Sequence, residues 1–579
     1  MRALGPAALV AAGAAMLVWT WGTWPDPLVD FGREAYVPWR LAEGDALYRD
    51  VAWFNGPLSA YANSLLFRAF GPGLHVLFWS NVAVLAATVA MLYGLVAKLS
   101  DRFTATVAGL VLVPVFGFGQ YVGIGNYNWI APYSHEMTHG VALALASIVG
   151  LERWHRTGSK TALALGGVAL GLCFLTKVET FVAGALGSSV WIADAVRRRD
   201  RRVALFVAAA LVPPLVSWSS VGGPGTLGAW PSVLGSDVTG LAYYRTVMGL
   251  DRPGYRILEA LAWTGFWVAV VAPIVAIAWA ARRTSERIWP LLTFAGALAA
   301  IALVAGGVHW PNSLRPLPFF VGGVIVWLAA GLRRGAADAP TRLTAIAFAA
   351  LSLALLARTL LHVRVGHYGF ALTAPACMLL VTALVGWLPE RLTRLGLRGD
   401  VARAGVAAAF AVFVVEHLAI TSGWLNAKTE VVGTGGDAFR TDVRGAFVRE
   451  AVSYVAESGA GTMVALPEGV MINYLARVPS PTPYVNFMPA EEAMFGSGVW
   501  EEALRRAPPG LVLVVPKDVS EYGRGQFGEG YAQSLAAWVR SEYAPSTALR
   551  VENVPFEIVI LAPRAAQDTG DAGAPSAIP

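Results

Sequence analysis

The sequence predicts a polytopic α-helical membrane protein that carries a small α/β domain at its C-terminal end. Three observations predict it. Only 14% of the 579 residues are charged and 56% are hydrophobic, whereas soluble domains carry roughly 25% charged residues. Apolar runs of about 15–24 residues, the length of helix that crosses about 30 Å of hydrocarbon, recur through the first three quarters of the chain. From Trp424 onward the composition changes to short β-rich runs separated by polar helical stretches.

The apolar runs place spans near 5–22, 74–97, 104–119, 137–151, 161–176, 181–196, 203–219, 258–281, 288–308, 318–332, 343–361, 371–388 and 404–422, about thirteen crossings in all. The first is read as an uncleaved helix, because no small-residue cleavage site precedes Trp21 and many further spans follow it. Cys173 and Cys377 both fall inside apolar runs, which excludes a disulfide framework and a cysteine metal cluster. The net charge of +6 comes mainly from short connections such as "RRRDRR" (Arg197 to Arg202) and "PERLTRLGLRGDVAR" (Pro389 to Arg403). Basic connections between spans mark the cytoplasmic side and do not point to nucleic acid. With Arg2 inside, an odd number of crossings leaves the C-terminal end outside.

The domain reading is a membrane domain at 1–422 with a large first external loop at 24–73, an extracytoplasmic α/β domain at 423–565, and a disordered tail at 566–579. In the α/β domain "GTMVALP", "GLVLVVP" and "FEIVILAP" read as strands, and 447–458 and 491–506 as helices. The external segments hold most of the unusual polar residues: Asp30, Glu34, His135, Glu136, His139, Lys177, Glu179, Arg245, Arg315, Arg364 and His367. A transporter would place such groups near the bilayer midplane on broken helices; here they gather at one face.

The stretch "DFGREAYVPWRLAEGDALYRD" (Asp30 to Asp50), continued by "NGPLSAY" (Asn55 to Tyr61), resembles the first extracytoplasmic loop of the C-type integral-membrane glycosyltransferases. These include the protein O-mannosyltransferase class (family 39) and bacterial aminoarabinose and lipopolysaccharide-core transferases. "GLCFLTKVETFVA" (Gly171 to Ala183) is similar to the family's L-T-K-x-E hairpin, and "HYGFALTAPA" (His367 to Ala376) to a late-helix motif of its bacterial members. The resemblance implies transfer of a sugar from a polyprenyl-phosphate lipid to a glycan, lipid or protein acceptor at the outer face of a bacterial plasma membrane. It also implies that an acid of the first loop is the base. Asp30 is the matched position, but the acids here are spaced D-x-x-x-E instead of adjacent, so Glu34 stays a second candidate.

The chemistry asks for these residue types. A carboxylate must take the proton of the attacking hydroxyl, and cations must hold the departing phosphate. Lys177, Arg315 and Arg364 are the expected phosphate-binding residues, and His135, Glu136, Glu179, His367 and Tyr368 the expected substrate-binding residues. Each has a plainer alternative: Asp30 and Glu34 as a solvated loop, Lys177 and Glu179 as a snorkelling pair at a helix end, Arg315 as a surface marker, His367 as a packed interface residue.

"HEMTH" (His135 to His139) carries metalloprotease spacing. A divalent metal on His135 and His139 with a first-loop carboxylate is compatible with it, although no cofactor is required by the pattern. Two other readings stay open: a zinc-dependent protease using this motif, and a transporter or flippase of lipid-linked glycans or anionic solutes.

Overall fold

The computed structural model describes residues 3–221, 253–284, 286–305, 310–334, 338–360, 363–551 and 554–564. Arg245 and the tail at 566–579 lie outside them. The described residues group into two compact units. One comprises 3–24, 78–219 and 253–426; the other joins 25–77 to 427–564.

The first unit is helical. Among the described residues six helices are long and apolar enough to cross a membrane: Leu74–Leu99, Ile257–Arg283, Trp310–Arg333, Ala339–Leu360, Phe370–Arg394 and Gly399–Asn426. Shorter apolar helices include Leu4–Thr20, Arg102–Gly117, Lys160–Phe174, Val203–Ser217 and Trp289–Leu303. The chain is a multi-pass membrane protein. Where hydrophobic burial gives no drive between helices, small residues let the backbones close up. Helices His135–Thr157 and Lys160–Phe174 do this at Gly150 and Gly166: a methyl group on Gly150 would lie 2.8 Å from the Gly166 Cα.

The second unit contains an open four-stranded sheet. Its strands are β3 (Met463–Leu466), β4 (Leu511–Val514), β5 (Tyr543–Arg550) and β6 (Glu557–Pro563), after the small hairpin of β1 (Glu430–Val432) and β2 (Phe439–Thr441). The sheet order is β3-β4-β6-β5, with β3 and β4 parallel and the other pairs antiparallel. The parallel pair needs a crossover, made by helices Val470–Ala476, Pro489–Phe495 and Ser497–Arg506. Trp500, Phe487, Leu504, Leu535, Trp538 and Tyr531 form the buried core against this sheet.

The segment predicted as a long loop at 24–73 is mostly helical. Phe31–Glu43 and Leu58–Phe70 are helices joined by a short clasp. Ten of the thirteen residues of Phe31–Glu43 are buried, the charged Arg33 and Glu34 among them, so burial is not confined to one apolar face. Gly32 permits a close approach of backbones: a Cβ there would stand 2.4 Å from the Met471 backbone nitrogen. The G-D-x-x-Y-x-D stretch is the clasp. Gly44 ends the first helix at φ 115°, Asp45 pairs with Arg40 at 2.8 Å, Asp50 accepts the Ala46 N–H at 2.8 Å, and the Tyr48 hydroxyl donates to the Asn55 carbonyl at 2.5 Å. Its polar residues hold the turn.

Candidate active site

In the second unit, Asp30 stands immediately before helix Phe31–Glu43 with φ 55° and ψ −57°. The Phe31 N–H donates to the Val29 carbonyl at 2.6 Å, which closes a γ-turn of the rare, strained kind with Asp30 at its centre. Such strain persists only where the surroundings over-determine it, and it concentrates at functional sites. Here the Asp30 N–H donates to Glu468 Oε1 at 2.9 Å, and Glu468 Oε2 pairs with Lys517 Nζ at 2.5 Å.

The Asp30 side chain is about a tenth exposed. Its nearest cation, Arg33, keeps 3.9 Å from Oδ1, and Oδ2 accepts no hydrogen bond among the described residues. Burial, followed by the Glu468 charge, pushes the Asp30 carboxyl up to about 7, against the smaller pull of Arg33 and Lys517. Arg33 is shared. Its guanidinium lies 3.7 Å from Glu34 and 3.7 Å from Glu491, and over the rings of Trp53 and Phe54 at 5.7 and 5.1 Å. Burial also raises the Glu491 carboxyl. Glu34 is buried beside Arg33. The structure therefore brings Asp30 and Glu34 together with Glu468, Glu491 and Lys517, three residues that sequence reasoning missed.

In the first unit, Lys177 precedes helix Val178–Arg197 at the tip of the Thr176 to Thr180 turn. Its ammonium lies 3.9 Å from Glu179 and 5.2 Å from the centre of the Tyr133 ring. Glu179 also takes a 2.6 Å bond from Arg358, a cation the sequence reading passed over. Arg358 belongs to the turn Leu356–Leu360, whose Leu356 and Thr359 line a small recess with Asn312, Thr373, Arg315 and Arg364. Arg315 is paired with Glu259, while Arg364 is exposed and in no ion pair among the described residues. The Tyr133 ring packs on Tyr368 at 4.6 Å, and His367 packs on Tyr127 at 4.6 Å. The segment around 356–368 thus gathers Lys177, Glu179, Arg315, Arg358, Arg364, His367 and Tyr368.

His135 and Glu136 open helix His135–Thr157. Asn81 Nδ2 lies 3.0 Å from His135 Nε2, and the Ser134 hydroxyl donates to Glu136 at 2.8 Å. The His135 and His139 rings are 5.7 Å apart, but among the described residues no three His, Cys, Asp or Glu side chains gather as a metal site. Within the first unit, "HEMTH" thus supplies two histidine rings and its own Glu136, which the Ser134 hydroxyl engages.

No protein-family model matches the chain, and neither does any curated protein sequence. Solved structures do. The oligosaccharyltransferase of Archaeoglobus fulgidus, in its form tethered to an acceptor peptide containing the NVT sequon, superposes with a TM-score of 0.51 at 13% identity, over 96% of this chain and 74% of that one. The chain has the C-type glycosyltransferase fold. ArnT from Cupriavidus metallidurans bound to undecaprenyl phosphate matches over 99% of both chains, at 13% identity and a TM-score of 0.46.

Proposed function

We propose that the protein is a membrane glycosyltransferase that moves a sugar from a polyprenyl-phosphate donor to an acceptor hydroxyl, with Asp30 as general base. The observation that carries the reading is the Asp30 carboxyl. It is held by a strained turn, buried, lifted to about 7, and left with one oxygen that accepts nothing among the described residues. A base works best when its pKa lies near the operating pH.

In the proposed step the acceptor O–H gives its proton to Asp30 as its oxygen bonds to the anomeric carbon. The bond from that carbon to the phosphate oxygen breaks, and the departing polyprenyl phosphate keeps the electron pair. Asp30 then returns the proton to water. Lys177, Arg315 and Arg364 stabilise the developing negative charge on the phosphate. Glu179 and Arg358 orient Lys177. His135, Glu136, His367 and Tyr368 line the substrate path, the last two as an aromatic wall. The reading includes about thirteen crossings in a bacterial plasma membrane, with the 24–73 segment and the C-terminal α/β domain on the outer face.

Replacing Asp30 by the isosteric amide tests it. Asp30→Asn is expected to lower incorporation of labelled sugar in membranes by roughly two to four orders of magnitude, the span of general-base contributions, with the protein still folded; Glu34→Gln is expected to be milder. The opposite order would make Glu34 the base. Full transfer in both variants would sink the mechanism.

A further inference from the structure

We propose that the C-terminal sheet completes the active site: Glu468, paired with Lys517, is a positioning residue that holds the Asp30 turn and sets the basicity of its carboxylate. The inference rests on Asp30 being the base, and it gives the C-terminal segment a part in the chemistry.

The placement follows from sheet topology. Strands β3 and β4 are parallel neighbours, with Leu466 opposite Val514, and the Val515 N–H donating to the Leu466 carbonyl at 2.8 Å extends the pairing past their ends. Each strand then runs into a proline and a charged residue, "LPEG" after β3 and "VVPKD" after β4. Two equivalent exits from adjacent parallel strands therefore deliver Glu468 and Lys517 side by side. The C-terminal ends of parallel strands are where open α/β sheets place their ligands. Both side chains are largely buried, with relative exposures of 5% and 17%.

Glu468 has two effects on Asp30. Its Oε1 accepts the N–H of the residue at the centre of the strained turn, so the turn is clamped by a charged acceptor stronger than a neutral one. Its negative charge opposes ionisation of Asp30. The charged groups facing Asp30 are Glu468, Arg33, Lys517 and Glu491, the acids raising its pKa and the bases lowering it. Burial lowers the basicity of Lys517, and Glu468, Asp30 and Asp26 together raise it above the usual lysine value, so its positive charge stands against Glu468 at the end of the sheet. Without the pair, Asp30 would be a weaker base on a looser turn.

The test uses the full-length protein in nanodiscs. Carboxyl groups are labelled with a carbodiimide and glycine ethyl ester across pH 5–9, and the peptide bearing Asp30 is read by mass spectrometry. Labelling follows the protonated carboxyl. Transfer–pH profiles and melting temperatures are taken on the same preparations. Glu468→Gln is expected to move both the Asp30 labelling midpoint and the acid limb of the transfer profile to lower pH by about one unit, the low end of what one nearby charge does. Lys517→Met, which removes an opposing charge, is expected to move them up. Glu468→Asp should restore part of the wild-type profile. A role confined to packing would lower the melting temperature in both variants and shift both midpoints the same way, which overturns the inference. So does an unchanged Asp30 midpoint in folded Glu468→Gln. Should Glu468→Gln not fold, the direction of the Lys517→Met shift decides alone. Failure of the underlying reading looks different: Asp30→Asn would still transfer sugar, whatever Glu468 does to the Asp30 midpoint.

Discussion

Asp26 and Asp30 lie four residues apart in one segment, and the protein treats them oppositely. Asp26 is 1% exposed and saturated: it accepts the Leu28 and Val29 N–H groups at 3.0 and 2.9 Å and pairs with Arg444 at 2.7 Å. Asp30 sits on a strained turn with its nearest cation at 3.9 Å and one oxygen unengaged among the described residues. A saturated buried carboxylate is a structural anchor, because its lone pairs are already committed. One left short of partners keeps a basic oxygen, at a cost in stability. The Asp26 anchor, shared with Asp442 through Arg444, fixes the entry to the turn that carries Asp30.

The largest effect that separates them is on folding. Asp26→Asn removes one partner of a buried ion pair, which costs on the order of 3–5 kcal/mol, so a fall in melting temperature is expected. Asp30→Asn should do the reverse at alkaline pH. The folded Asp30 carboxyl sits at about 7, and an unfolded one near about 3.9. Between those values the folded protein holds the extra proton, so this group's contribution to stability is fully present below the unfolded value and is lost as pH rises to about 7. The asparagine variant should therefore melt above wild type at pH 8, with the gap closing toward pH 5. Melting curves at the two pH values check both variants. A stabilising Asp26→Asn, or a destabilising Asp30→Asn at pH 8, would break the contrast.

The next effect moves the comparison to the other unit. Glu179 resembles Asp26 in being held, here by Arg358 and Lys177, so Lys177 either serves the donor phosphate or only steadies Glu179. Losing a hydrogen bond to a charged group costs about 1.5–3 kcal/mol. Lys177→Met is thus expected to weaken donor use by roughly one to two orders of magnitude, with Lys177→Arg partly tolerated. A lowered melting temperature with unchanged donor dependence would assign Lys177 to structure alone. Gly32→Ala tests the wall behind Asp30. Its methyl would meet the Met471 backbone, and overpacking of this kind costs about 1–3 kcal/mol. Reduced stability is expected; a neutral result would mean that the two helices can part there.

The sequence offers Lys177 as a charge close to an apolar run, where a charge needs a reason, Arg315 and Arg364 as cations that a departing phosphate would ask for, and Asp30 and Glu34 through the resemblance of their segment to a family's first loop. Arg358 met the same criterion as Lys177 in "LLARTLL" and was overlooked as the end of a span. Glu468 and Glu491 could not be found from the first segment, since their contacts to it bridge more than four hundred positions, and Lys517 is tied to it through Glu468. The signal that does exist is the repeated strand, proline and charge, whose meaning depends on knowing that β3 and β4 are parallel neighbours. The helix Phe31–Glu43 was hidden for a local reason. Pro38 and Gly32 lie inside it, and both residues argue against helix when only propensity is weighed.

The smallest expected effect concerns the recess that Arg315 and Arg364 share. Arg315 is committed to Glu259 and Arg364 to no acid among the described residues, so the pair repeats on a smaller scale the contrast between a held charge and one kept available. An exposed cation is screened, and its contribution to binding an anion is on the order of 0.5–1 kcal/mol, about two- to fivefold in donor dependence. Arg364→Gln should show this loss at low ionic strength, lose it near 1 M salt, where the screening length falls to about 3 Å, and leave the melting temperature unchanged. Arg315→Gln should also weaken donor use, and in addition lower the melting temperature, because it removes the cation paired with Glu259. If Arg364→Gln is silent at low salt while Arg315→Gln weakens donor use, Arg364 has no part in holding the phosphate, and the cation already committed to an ion pair is the one that serves the donor in this recess; if Arg315→Gln lowers only the melting temperature, Arg315 is structural.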